Sequence, residues 1–134
     1  MSTLKKFLKK KNYVYLPLIL TATDHFEINA KINSIKGRFI LDTGASNTCI
    51  GIDRIEHFNL VSQESKIKAA GAGATNMELK KLKIVLFDLK HVNEALVAHN
   101  AKPVDGIIGA DILKKSKAII DYDKKCIYLK KKKR

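Results

Sequence analysis

The chain has 134 residues, of which 26 are Lys or Arg and 13 are Asp or Glu, for a formal charge of +13. That length allows one domain with a modest core, small for an enzyme with a deep cleft of its own; a cleft shared between two subunits would relieve the shortage. The 2 cysteines exclude a disulfide framework and point to buried, inert thiols in a reducing compartment, read here as cytoplasmic. No apolar run reaches the length of a membrane span.

The basicity is concentrated at the two ends. Lys5, Lys6, Lys9, Lys10 and Lys11 form one basic run and Lys130 to Arg134 another, and every acidic residue lies between them. The expected division is a basic N-terminal tail over 1–12, a folded domain over 13–129 and a basic C-terminal tail over 130–134. Leu4 to Lys11 has the spacing for one or two turns of basic amphipathic helix, suited to an anionic membrane or nucleic acid. Its three apolar residues bury little surface, however, and the segment reads as a solvated, frayed end. The same lysines, followed by apolar Tyr13 to Leu20 and then Ala22, also have the outline of a signal peptide. Pro17 interrupts that run and the pattern continues into strand, so the stretch is read as a strand with Pro17 at an edge or bulge.

Phe26, Ile28, Ala30 and Ile32 alternate with Glu27, Asn29, Lys31 and Asn33, the mark of a strand with one buried and one wet face. Asn33 to Gly37 is a turn, and Arg38 to Leu41 returns as a strand that aims Asp42-Thr43-Gly44-Ala45-Ser46. A carboxylate that must activate water has to be held rigidly by a loop whose backbone can come close. Thr43 and Ser46 offer hydroxyls to lock such a loop, and Gly44 allows the close approach. The same tripeptide also occurs as a plain Asx turn after a strand. Thr48 to Ile50 is a short strand, and Asp53 to Leu60 a helical turn or loop with Asp53 as a surface N-cap and Glu56 three residues on.

Ala70, Gly71, Ala72, Gly73 and Ala74 lie between Lys66-Ile67-Lys68 and Met77-Glu78-Leu79. This makes a hairpin tip with little side-chain packing, either a mobile cover or an ordinary flexible turn. It lacks the lysine-serine ending of a phosphate-binding loop. Leu82 to Leu89 and Ala95 to Ala98 are read as further strands. Val104-Asp105-Gly106-Ile107-Ile108-Gly109 then runs apolar residues into a glycine ahead of a short helix, Asp111 to Lys115. Ala118 to Tyr122 turns through Asp123-Lys124-Lys125 into a last strand, Cys126 to Leu129. His25, His57, His91 and His99 lack paired ligand spacing, so no metal and no cofactor is expected, and His91 and His99 are read as surface residues on strands or loops.

In order and spacing together, Phe39-Ile40-Leu41-Asp42-Thr43-Gly44-Ala45-Ser46, the Gly/Ala segment and Ile107-Ile108-Gly109 ahead of a helix and strand resemble the retropepsin-like aspartic proteases. That family comprises the retroviral proteases and their cellular and bacterial relatives, and the resemblance runs from about Phe26 to Leu129. It implies a mainly β fold, a closed acid-protease barrel with one or two short helices, forming one half of a two-fold symmetric enzyme. It implies an aspartic endopeptidase acting on peptides or proteins, with Asp42 catalytic and Thr43, Gly44, Ala45 and Ser46 supporting it. Ala70 to Ala74 would be the flap, and Ile50 and Ile107 would line an apolar cleft. Such chemistry needs two carboxylates around one water, and a single Asp-Thr-Gly makes a homodimer the requirement.

Two departures from the retroviral pattern stand out. The arginine that follows the second-motif glycine, and the acidic residue two positions after the active-site glycine that pairs with it, are here Ala110 and Ser46. The strand through which retroviral subunits pair would be Cys126 to Leu129, followed at once by five basic residues. The competing reading is a catalytically silent binding module of the same fold, whose lysine tails make weak contact with nucleic acid or an anionic membrane. The interior carries no aromatic and basic surface motif that would predict specific nucleic-acid binding.

Overall fold

The structure is a computed structural model, and it describes residues 3–60, 62–63, 66–69, 77–78, 82–87 and 89–131. Its elements in chain order are α1 (Thr3–Lys10), β1 (Tyr13–Pro17), β2 (Ile19–Leu20), β3 (Phe26–Ile32), β4 (Ile35–Leu41) and β5 (Cys49–Gly51). A 3-10 turn (Ile52–Arg54) leads to β6 (Ser62–Gln63), β7 (Lys66–Ala69), β8 (Met77–Glu78) and β9 (Leu82–Phe87). Then come α2 (Lys90–Ala98), β10 (Gly106–Ile108), α3 (Ala110–Lys115), β11 (Ile119–Asp121) and β12 (Cys126–Lys130).

The strands form two sheets. The smaller runs β1-β12-β11 and is antiparallel throughout. The larger runs β2-β3-β4-β10-β5-β9-β7-β6, with β8 pairing to β3. Neither sheet closes among the described residues, so the expected closed barrel is corrected to two open sheets. The large sheet ends on β2 at one edge and β6 at the other. The run read as one strand from Tyr13 to Leu20 breaks after Pro17, and Leu18 turns into the core, its N–H donating to the Lys125 carbonyl at 2.9 Å. The residues before the break pair with β12 and those after it with β3, so the first strand belongs to the small sheet.

The main core lies between these layers. Leu16, Leu18, Phe26, Ile28, Ile32, Phe39, Ile50, Phe58, Ile108 and Ile127 are buried there with Ile112 and Leu113 of α3. β3 and β4 form a hairpin whose turn is only Asn33-Ser34, both at positive φ (52° and 65°), the geometry that suits strand twist in a two-residue hairpin. Ile35 to Gly37, expected in the turn, are therefore already strand. Gly37 is required there because a Cβ would come within 2.6 Å of the Phe58 ring.

Two helices cover outer faces. In β12, Ile127 and Leu129 face the main core while Cys126 and Tyr128 face α1, whose Leu8 is 5% exposed. The N-terminal segment expected to fray is thus a docked helix. β12 is central in its sheet, with β1 on one edge and β11 on the other, so Cys126 to Leu129 offers no free edge to a second subunit. On the large sheet, Leu96 of α2 packs on Ile40 and Val104. The strand expected at Ala95 to Ala98 is the end of this helix. Leu89, Val92 and Leu96 recur at three- and four-residue spacing, which is helical periodicity. With α1, α2 and α3, the described residues hold three α-helices where one or two were expected. No helix among them is long and apolar enough to cross a membrane. The expected wet face of β3 holds at Asn29, which is exposed, and fails at Glu27, which is only 4% exposed.

Candidate active site

β4 delivers Asp42, and β10 holds it in place. The two strands run parallel, with Phe39 opposite Gly106, Ile40 opposite Ile107 and Leu41 opposite Ile108, while β10 pairs on its other side with β5. One residue beyond that ladder, the Asp42 N–H donates to the Ile108 carbonyl at 2.9 Å. The two motifs singled out in the sequence are therefore neighbours in one sheet.

The loop itself is locked by backbone. The Gly44 N–H donates to Asp42 Oδ1 at 2.9 Å, and the Ala45 N–H to the Asp42 carbonyl at 3.2 Å. A Cβ on Gly44 would sit 3.3 Å from that carboxylate oxygen, a crowded approach that glycine avoids. Thr43 and Ser46 are exposed, and their hydroxyls make no hydrogen bond among the described residues. The Ala45 carbonyl accepts from the Ala110 N–H at 2.6 Å and the Ser46 carbonyl from the Asp111 N–H at 3.2 Å. Backbone bonds thus tie the active loop to α3 where an arginine and an acid pair in retroviral relatives.

Beneath this tie lies a polar cluster the sequence did not single out. Thr48 is fully buried; its Oγ1 donates to Asp111 Oδ1 at 2.8 Å and accepts from the Gly109 N–H at 3.0 Å. Asp111 Oδ1 also accepts from the Thr48 N–H at 3.0 Å and from the Ile112 N–H at 2.8 Å. Gly109 has no room for a side chain, because a Cβ would lie 2.7 Å from the Ala45 carbonyl oxygen and 2.8 Å from Asn47 backbone. Asp105 is likewise structural. Its Oδ2 accepts from the Arg38 N–H at 2.8 Å, its own N–H donates to the Arg38 carbonyl at 2.8 Å, and Arg54 Nε lies 2.6 Å from Oδ1 in an ion pair whose N–H is not aligned with the contact.

A cavity of about 550 Å³ opens beside Asp42. Ile40 and Ile107 form its floor, Val92, Ala95 and Leu96 of α2 with His99 just beyond it its wall, and Thr23 and His25 its far rim. The helix is pinned to the chain leading into β10 by Asn93, whose Nδ2 donates to the Val104 carbonyl at 3.1 Å and whose Oδ1 accepts the Val104 N–H at 2.7 Å. At the rim, His25 Nδ1 lies 2.9 Å from Thr23 Oγ1, and His99 Nδ1–H donates to the Ala95 carbonyl at 2.8 Å. Of the two cleft residues expected, Ile107 lines this cavity; Ile50 is 0% exposed within the main core and does not reach it. The flap residues Ala70, Gly71, Ala72, Gly73 and Ala74 lie outside the described residues. Of the strands on either side, β7 pairs with β6 and β9 while β8 pairs with β3, and no pairing joins β7 to β8 among the described residues.

Two further titratable groups border the site. Burial pushes the Cys49 thiol above its usual value, with the Asp42 and Asp111 carboxylates adding to the effect and a backbone hydrogen bond at Ile107 opposing it. Such a thiol stays protonated and is no nucleophile. Burial also raises Glu27, against the lowering influence of Arg38, Lys102 and His25. Its Oε1 is 3.5 Å from Arg38 Nε, and its buried Oε2 has no hydrogen-bond partner among the described residues. Among the described residues no three His, Cys, Asp or Glu side chains gather to hold a metal ion.

The family model for aspartyl proteases matches residues 28–112, from β3 through both motifs into α3. No curated protein matches the chain. A retropepsin-like aspartic protease from Rickettsia conorii superposes with a TM-score of 0.56 at 19% identity, covering 87% of this chain and 90% of that one. The retroviral protease-like domain of Ddi1 from Leishmania major gives 0.52 at 19% identity, covering 77% and 83%. Those identities speak to fold alone, but the family match spans well over half of the chain and includes the Asp42 loop. The chain belongs to the aspartyl protease family and has the retropepsin-like fold.

Proposed function

We propose that the protein is an aspartic endopeptidase that acts as a homodimer, each copy contributing its Asp42 to one catalytic pair. The observation that carries this reading is that Asp42 is the one carboxylate among the described residues that line the cavity. Asp105 and Asp111, the acids of the second motif, are committed to backbone, to Arg54 and to Thr48, and Glu27 is buried. Peptide hydrolysis by carboxylates needs a base and an acid around one water, and a second copy related by a two-fold axis supplies the missing group. The exposed Asp42 loop leaves room for that approach.

In the proposed reaction a water sits between the two carboxylates, one ionised and one protonated, because like charges that close share a proton. The ionised carboxylate takes a proton from the water as its oxygen attacks the peptide carbonyl carbon. The protonated one donates to the carbonyl oxygen, giving a neutral tetrahedral diol. Return of a diol proton to a carboxylate and protonation of the amide nitrogen break the C–N bond and restore the shared proton. The apolar cavity beside Asp42 receives a substrate side chain next to the cut, favouring hydrophobic residues there, and Ala70 to Ala74 act as the flap that closes over the peptide.

The test is cleavage of a mixed peptide library by wild type and Asp42→Asn. The substitution keeps the size of the side chain and is expected to abolish cleavage while the thermal melt is retained. Undiminished cleavage by Asp42→Asn would rule the mechanism out.

A further inference from the structure

The two basic runs, at opposite ends of the sequence, meet in the fold. β1 and β12 pair antiparallel with Tyr13 opposite Lys130, and the Lys131 N–H donates to the Asn12 carbonyl at 2.9 Å. Lys130 and Lys131 of the C-terminal run therefore lie beside the end of α1, where Lys9, Lys10 and Lys11 are exposed. Leu8 is the one buried apolar residue of α1, and the two others, one turn apart, remain largely outside: Leu4 is 42% exposed and Phe7 is 54% exposed.

From this juxtaposition we propose that α1 with the adjoining Lys130 and Lys131 forms a docking surface for an anionic phospholipid bilayer, with Leu4 and Phe7 entering the interface and the lysines facing the headgroups. Charge complementarity selects the partner class, and the exposed apolar pair selects a bilayer over nucleic acid. Bases would need open aromatic faces to stack on. Here the Tyr15, Tyr13 and Phe7 rings each carry a lysine, with Lys5, Lys130 and Lys11 Nζ at 3.8, 5.6 and 5.7 Å from their centroids. One short helix with two apolar side chains gives peripheral, reversible attachment, and the lysine field supplies the second signal that such attachment needs. The surface belongs to the small sheet, away from the β4, β10 and β5 ladder that carries Asp42, so docking and the catalytic loop are separable.

The experiment is co-sedimentation of the full chain with vesicles of phosphatidylcholine alone and of phosphatidylcholine mixed with phosphatidylserine, at low and high salt. Wild type is compared with Leu4→Ser/Phe7→Ser and with Lys6→Glu/Lys10→Glu, all exposed positions, and circular dichroism checks that each variant keeps the fold. Binding is expected only to the phosphatidylserine vesicles, to weaken at high salt, and to fall at least roughly 25-fold in the Lys6→Glu/Lys10→Glu variant, about five-fold per lysine near an anionic surface. Loss of binding in Leu4→Ser/Phe7→Ser is the mark of the apolar contact. No binding to phosphatidylserine vesicles at low salt would overturn the proposal. So would vesicle binding that is indifferent to Leu4→Ser/Phe7→Ser while a single-stranded oligonucleotide binds as tightly, which would make the surface a general polyanion patch.

Discussion

Replacing Thr48 by valine keeps the branched shape of a fully buried side chain and removes one hydroxyl. That hydroxyl donates to Asp111 Oδ1 at 2.8 Å and accepts the Gly109 N–H at 3.0 Å. The carboxylate retains donors from the Thr48 and Ile112 N–H groups, so it is weakened but not abandoned. The Gly109 N–H is buried and loses its partner. A hydrogen bond to a charged group contributes about 1.5 to 3 kcal/mol and an orphaned buried donor costs about 1 to 3, so the loss comes to about 3 kcal/mol. For a chain of this length that lowers the melting temperature by about 10 °C. Thr48→Ser keeps the hydroxyl and gives up one buried methyl, a loss of about 1 kcal/mol. Thermal unfolding followed by circular dichroism orders the three proteins as wild type, then Ser, then Val. A valine variant as stable as wild type, or more stable than the serine variant, would refute the claim that this cluster holds the second motif in place.

Gly109→Ala forces a methyl against the Ala45 and Asn47 backbone and should cost about 3 kcal/mol, with loss of cleavage beyond what the lower melting temperature explains; kinetics measured well below the melt check this. Glu27→Gln should stabilise the protein at neutral pH. The folded state raises this carboxyl above its usual 4.5, so its native protonated form contributes fully below 4.5, and stability falls as pH rises from there through the raised value. The gain of the variant over wild type, from denaturant melts across pH, should therefore vanish below about 4.5, and a gain that persists at acid pH would contradict the assignment. Leu96→Ala enlarges the cavity from the α2 side and should cost about 2 to 3 kcal/mol while shifting peptide preference toward bulkier side chains, read by library sequencing.

The site was legible where its residues are contiguous. An apolar strand ending in Asp42-Thr43-Gly44 and an apolar run ending in Gly109 announce a buried ladder and a tight loop without reference to their surroundings. Thr48 and Asp111 were not legible, because a buried threonine reads like any strand threonine until a carboxylate from a distant helix reaches it. The continuous hydrophobicity of Tyr13 to Leu20 conceals a change of sheet at Leu18. Ala95 to Ala98 alone reads as strand, whereas a longer window from Leu89 shows Val92 and Leu96 at helical spacing. Glu27 shows the same limit from the other side. Alternation predicts a wet face, which Asn29 keeps, while Glu27 is buried with Arg38 of the neighbouring strand 3.5 Å away. The docking of α1 rests on Leu8 meeting Cys126 and Tyr128, a contact that no local pattern encodes.

The shared catalytic pair is tested most directly by mixing subunits. Wild type is held at fixed concentration and equilibrated with increasing Asp42→Asn protein under conditions that allow exchange, with peptide cleavage and sedimentation measured on the same samples. If each active site takes one Asp42 from each copy, mixed dimers carry a single ionisable aspartate at the water, and cleavage falls progressively as the variant captures wild-type subunits into dimers of unchanged size. Cleavage that stays proportional to the wild-type concentration, despite demonstrated exchange, would show that one chain suffices and would contradict the account.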